Sequence, residues 1–84
     1  YKTGVRSILE DSKGNIWFGS YNEGVCLLHN GELQYFTTEN GLSNNQVRSI
    51  YEDKNGIIWF ECGQGLSIYD GQKMTIYKER NYNS

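Results

Sequence analysis

A strong internal repeat confines this chain to a small set of architectures. Residues 5–18 read VRSILEDSKGNIWF and residues 47–60 read VRSIYEDKNGIIWF, with ten of the 14 positions identical at an offset of 42. The likeness continues more loosely. Gly24-Val25-Cys26-Leu27-Leu28 aligns with Gly65-Leu66-Ser67-Ile68-Tyr69, Asn30-Gly31 with Asp70-Gly71, and Leu33-Gln34-Tyr35-Phe36 with Met74-Thr75-Ile76-Tyr77. A unit of this length suits either a propeller blade or a helical solenoid repeat, and missing it would misread the whole fold.

Periodicity decides between the two. No stretch of helical length carries apolar residues at i, i+3, i+4 and i+7 without a glycine interrupting it. Each unit breaks instead into four short segments. They are Val5–Glu10, Asn15–Ser20, Gly24–His29 and Leu33–Thr37 in the first, and Val47–Glu52, Ile57–Cys62, Leu66–Tyr69 and Lys73–Lys78 in the second. The breaks have turn chemistry. Asp11-Ser12-Lys13-Gly14 and Asp53-Lys54-Asn55-Gly56 each offer a carboxylate for backbone N–H groups and a glycine for positive φ. Asn30-Gly31 and Asp70-Gly71 read as two-residue hairpin turns. Glu39-Asn40-Gly41 ends the first unit, and Leu42–Gln46 leads into the second.

The second strand of each unit, Ile16-Trp17-Phe18 and Ile57-Ile58-Trp59-Phe60, is apolar on both faces, as is Val25-Cys26-Leu27-Leu28. A sheet with one wet face would alternate apolar and polar residues, so these sheets need cover on both sides. Blades stacked around an axis provide it. The expected fold class is all-β: two four-stranded antiparallel β-propeller blades, repeat 1 with its connection over residues 1–46 and repeat 2 over residues 47–84. The rival is a lone two-sheet sandwich. Two blades form one joint and leave two apolar faces open, whereas propellers close with about 4–8 blades. The chain is therefore expected to be part of a larger or oligomer-completed propeller, whose further blades come from the same parent chain or from copies of itself. Tyr1–Gly4 and Glu79–Ser84 read as pieces of inter-blade connections, as in a segment cut from an array.

Charge and composition remove several function classes. Lys plus Arg is 8 against Asp plus Glu 10, a net charge of −2. That balance argues against nucleic acid, which calls for a basic stripe, and against a polybasic membrane-surface segment. No apolar run approaches the roughly 20 residues that span a bilayer, so no direct membrane contact is expected. Cys26 and Cys62 lack metal-site spacing. Each takes a slot that a serine fills in the other repeat, Ser67 and Ser20 respectively. They read as small residues packed in sheets, with a disulfide or a reactive thiol as the alternatives. No metal and no cofactor is expected.

The pattern V-R-S-I-x-E-D-x-x-G-x-I-W-F, then G-(V/L)-x-(L/I), then (N/D)-G, with Asn40-Gly41-Leu42-Ser43-Asn44-Asn45-x-Val47 between the units, resembles the two-component regulator propeller repeat. The resemblance runs twice, from Val5 to about Lys78. It implies the building unit of the seven-bladed propellers found in the periplasmic sensor regions of bacterial hybrid histidine kinases, which are associated with detecting glycans or their breakdown products. It further implies a following β-sandwich, a membrane helix and a kinase, none of which this chain contains. The number of repeats is also smaller than such propellers use. Glu61-Cys62 departs from the usual Gly-Thr, which Gly19-Ser20 echoes in the first unit.

The candidate residues carry bland readings beside functional ones. The pairs Glu10-Asp11 and Glu52-Asp53 could serve a glycosidase, but both precede a turn glycine, and capping explains their recurrence better. His29, the one histidine, lies beside the Asn30-Gly31 hairpin and reads as solvated. Trp17 and Trp59 could stack on sugars, yet their equivalent placement favours packing between blades. Arg6 and Arg48, on a first strand, line the central channel, pair with acids such as Glu10 or Glu52, or contact a ligand. Function in repeat folds concentrates where units differ, on loops at one rim. Here the differing segment is Tyr21-Asn22-Glu23 against Gly63-Gln64. The ligand-binding candidates are thus Arg6, Arg48, Tyr21, Asn22, Glu23 and Gln64, and no catalytic residue is assigned. The expected function is a non-catalytic, ligand-sensing propeller segment of a bacterial two-component sensor, periplasmic and recognising an oligosaccharide. The alternative is a propeller scaffold for protein interaction with no small-molecule ligand.

Overall fold

The computed structural model describes residues 4–77. Eight strands follow one another: β1 (Val5–Glu10), β2 (Ile16–Ser20), β3 (Val25–His29), β4 (Glu32–Phe36), β5 (Val47–Glu52), β6 (Ile58–Cys62), β7 (Leu66–Tyr69) and β8 (Met74–Tyr77). They form two four-stranded antiparallel sheets, β1-β2-β3-β4 and β5-β6-β7-β8. The chain is all-β, in two blades, as the repeat requires. Every strand lies within one residue of its expected limits, except that Lys78, the expected end of the last, falls outside the described residues.

Two details differ from the sequence reading. Asn30 and Gly31 both have positive φ, 52° and 80°, as a two-residue hairpin of mirror-image type demands. The second blade does not repeat this with Asp70-Gly71. The pairing Tyr69↔Met74 matches Leu28↔Leu33, so Gly71, at φ 103°, takes the place of Asn30, and Asp70 becomes the flanking residue. Its carboxylate Oδ1 accepts from the amides of Gln72 (2.9 Å) and Lys73 (3.0 Å), which fixes that register. The second difference is a short 3-10 turn over Thr38–Asn40. Thr37 Oγ1 accepts from the Glu39 amide, and Asn40 Oδ1 accepts from the Thr37 amide, a reciprocal cap. Gly41 follows at φ 101°, and a side chain there would collide with the Met74 carbonyl.

The two sheets pack face to face, head to tail. On β2 and β3 the residues Trp17, Val25 and Leu27 point into the joint with Phe36 from β4. From the second blade come Val47, Ile50, Ile58, Phe60, Cys62 and Met74, and Leu42 from the connection joins them. Trp17 is the centre. Its ring lies 5.3 Å from Phe60, 5.1 Å from Tyr69 and 6.0 Å from Phe36, the first two edge-to-face, the geometry that aromatic quadrupoles prefer. Gly19 makes the close approach possible, because a Cβ there would lie 2.8 Å from Val47 Cγ1 and 3.2 Å from Ile50 Cδ1.

The outer faces are therefore unlike halves. Blade 1 turns Val5, Ile8, Leu33 and Tyr35 outward, all exposed. Blade 2 turns out Tyr51, Trp59 and Tyr77, with Trp59 stacked on Tyr51 (6.1 Å, 8° between planes) and 5.0 Å from Tyr77. Val5 is 50 % exposed and its counterpart Val47 0 %; Ile8 is 64 % exposed and Ile50 9 %. The same residue types are core in one blade and surface in the other.

Candidate functional site

Each blade carries one recurring device. Asp11 Oδ1 accepts from the amides of Lys13 (2.9 Å) and Asn15 (3.0 Å), while Oδ2 accepts from the Trp17 indole N–H at 2.9 Å and from the Asn15 side-chain amide. Asp53 does the same for Asn55, Ile57 and the Trp59 indole, the last at 2.8 Å. Burial opposes the charged form at Asp11, but the indole, the two turn amides and the Asn15 side chain outweigh it and hold the carboxyl below the usual carboxylate range. At Asp53 the indole bond comes first and the direction is the same. These acids are engaged in holding a turn and a tryptophan. The capping reading thus gains a partner, the indole six residues on, that turn statistics do not suggest.

The six candidate residues all sit at the rim formed by the β2–β3 and β6–β7 loops and the starts of β1 and β5. Arg6 lies over the Tyr21 ring, 4.6 Å from its centroid, a cation–π contact. Tyr21 is half exposed. The Glu23 amide donates to Ser20 Oγ at 2.6 Å, and Ser20 Oγ donates to the Gly24 carbonyl at 3.0 Å. Asn22, Arg48 and Gln64 are exposed. The pairing of β1 with β2 jumps from Val5↔Ser20 to Ser7↔Gly19, and that of β5 with β6 from Val47↔Cys62 to Ser49↔Glu61. Arg6 and Arg48 are thus the extra residues of two matching β-bulges, a feature that re-aims a side chain. A bulge present in both repeats cancels in their alignment, so the sequence could not reveal it.

The connection between the blades belongs to this rim. The Gly24 amide donates to the Asn45 carbonyl (2.8 Å) and the Gly63 amide to the Gln46 carbonyl (2.7 Å). The Ser43 amide donates to Ser67 Oγ at 2.8 Å, and Leu42 is 1 % exposed. The connection over residues 42–46 is thereby bound to both sheets.

A concavity opens at the opposite rim, where the β1–β2 and β5–β6 turns lie. It is a notch of about 190 Å³ between the blades, floored by Trp17 and Tyr69 and edged by Asp11, His29, Glu52 and Asp70. Glu52, expected as an arginine partner, is instead clamped by Ser12, whose amide (2.8 Å) and hydroxyl (2.6 Å) both donate to it across the joint. His29 is exposed, with Nδ1 2.6 Å from Asn15 Oδ1. Tyr69 has its phenol pushed up, first by burial and then by Asp70. Among the described residues no group of three or more His, Cys, Asp or Glu stands where it could hold a metal ion, and no helix is long and apolar enough to cross a membrane. Cys26 and Cys62 are free and buried. Burial pushes the Cys26 thiol up, away from a reactive thiolate.

Comparison with known families gives two matches to one model, described as the two component regulator propeller, over residues 2–22 and 41–60. These segments hold the first two strands of blade 1, and β5 with the start of β6 in blade 2. Comparison with curated proteins gave no match.

Proposed function

Because the chain is built from two repeats of the two component regulator propeller family, we propose that it is a non-catalytic, ligand-sensing segment of a bacterial two-component sensor, and that it recognises an oligosaccharide from the periplasmic side. The repeat match is the observation that carries this reading. The rim supports it: Arg6 and Tyr21 form a charged and aromatic pair at a bulge, and the loop beside them, residues 21–24, is one residue longer than its counterpart, residues 63–65. An arginine stacked on a half-exposed tyrosine offers both a flat apolar surface and N–H donors, the two things a sugar ring uses. Thermal-shift measurement against a panel of neutral and acidic oligosaccharides tests it. A ligand at a hundred times its Kd stabilises by about 2.7 kcal/mol. Stabilisation that Arg6→Ala and Tyr21→Ala both remove is the expected result; no shift with any glycan would defeat the oligosaccharide reading.

A second reading has its own support. The Tyr51–Trp59–Tyr77 patch and the exposed Val5 and Ile8 are apolar surfaces that further blades would cover. On this reading the chain contributes scaffold, and mass in solution, not ligand response, is its measure.

A further inference from the structure

The joint inside the chain is a template for the next one, and a single residue spoils the copy. In blade 1 the position facing Val47 and Ile50 of the neighbouring first strand is Gly19, where even a methyl group would collide with them. The equivalent position in blade 2 is Glu61. It pairs with Ser49 as Gly19 pairs with Ser7, it shares the Trp59 face, and it is exposed. Ser49 Oγ donates to Glu61 Oε1 at 2.9 Å. Its counterpart Ser7, beside Gly19 in the joint, has a buried hydroxyl with no hydrogen-bond partner among the described residues.

A second copy of this chain, stacked as blade 2 stacks on blade 1, would bring Val5 and Ile8 onto Glu61. That arrangement has no room for the side chain and would bury a carboxylate against methyl groups, a loss that apolar contact does not repay. We infer that Glu61 bars head-to-tail addition of copies at the Trp59 face and selects a blade whose first strand brings a cation opposite it. The partner is thus a propeller blade like this one in its apolar positions, with a lysine or arginine where this chain has Val5 or Ile8. This rests on the reading that further blades complete the sheet stack, and it names which blade fits.

The test is the weight-average mass of the full chain by sedimentation, over a concentration series, with far-ultraviolet circular dichroism confirming the fold. Glu61→Gly recreates the blade 1 surface. Ile8→Lys supplies the missing cation on the other face of the same chain. We expect wild type not to add copies, Glu61→Gly at least to double the mass, and Ile8→Lys to do so only at low salt, since about 1 M salt cuts the screening length to roughly 3 Å. Wild type that already assembles, and that Ile8→Asp disperses, would overturn the barrier while leaving blade completion intact. If every variant stays a folded monomer, blade completion itself fails and the inference with it.

Discussion

Trp17 and Trp59 occupy the same position in two nearly identical strands, make the same bond to the same turn aspartate, and live in different surroundings. Trp17 is 1 % exposed at the centre of the joint; Trp59 lies half-buried between two tyrosines on an outer face. The local structure is the same, so the strand, the turn and the indole bond come from the repeat itself. The cover comes from the neighbour. A blade therefore folds its own sheet but borrows much of its core.

Four measurements break or sharpen that comparison. The largest effect is expected at the tryptophans. Trp17→Ala should cost about 3–5 kcal/mol, the range for emptying a packed aromatic site, and Trp59→Ala well under half of that, by urea denaturation; equal losses would mean that the two faces are equally covered. Next come the small positions. Gly19→Val should cost about 1–3 kcal/mol through overpacking, whereas Glu61→Val on the open face should lie within about 0.5 kcal/mol, read as shifts of the denaturation midpoint. Third is the response to acid. The folded carboxyls of Asp11 and Asp53 lie below their ordinary value of 3.8, so the unfolded chain binds protons more readily. Their contribution is complete above that value and disappears as pH falls through the lower folded values. Stability should decline below about pH 4, and Asp11→Ala should flatten the decline; an unchanged slope would remove the aspartate–indole bond from the account. The smallest effect is at the clamp. Glu52→Gln keeps an acceptor for Ser12 and should cost no more than about 1 kcal/mol, read as a shift of the denaturation midpoint.

Most of the fold was legible because the repeat marks its own punctuation. Two Asp-x-x-Gly turns and the alternation of apolar runs fix eight strands to within a residue. What escaped has physical reasons. The bulges at Arg6 and Arg48 add one residue to each repeat alike. The Asp70-Gly71 turn looked like Asn30-Gly31, but there the aspartate accepts from the turn instead of sitting at its corner. Leu42 stands in a polar connection, so nothing in its neighbours announces a core residue. Of the candidate site, the rim position and the length difference of the loops were readable. The Arg6–Tyr21 contact and the notch beside Glu52 were not, since both depend on how strands distant in sequence are brought side by side.

The passage from one blade to the next has a consequence for how the molecule comes apart. Leu42 belongs to the buried cluster that both blades share, and the amides of Gly24 and Gly63 grip adjacent carbonyls, those of Asn45 and Gln46. Neither sheet can melt without loosening the rivet that its sister needs. The unit of cooperativity spans both repeats, and heating should give one sharp transition in place of two steps.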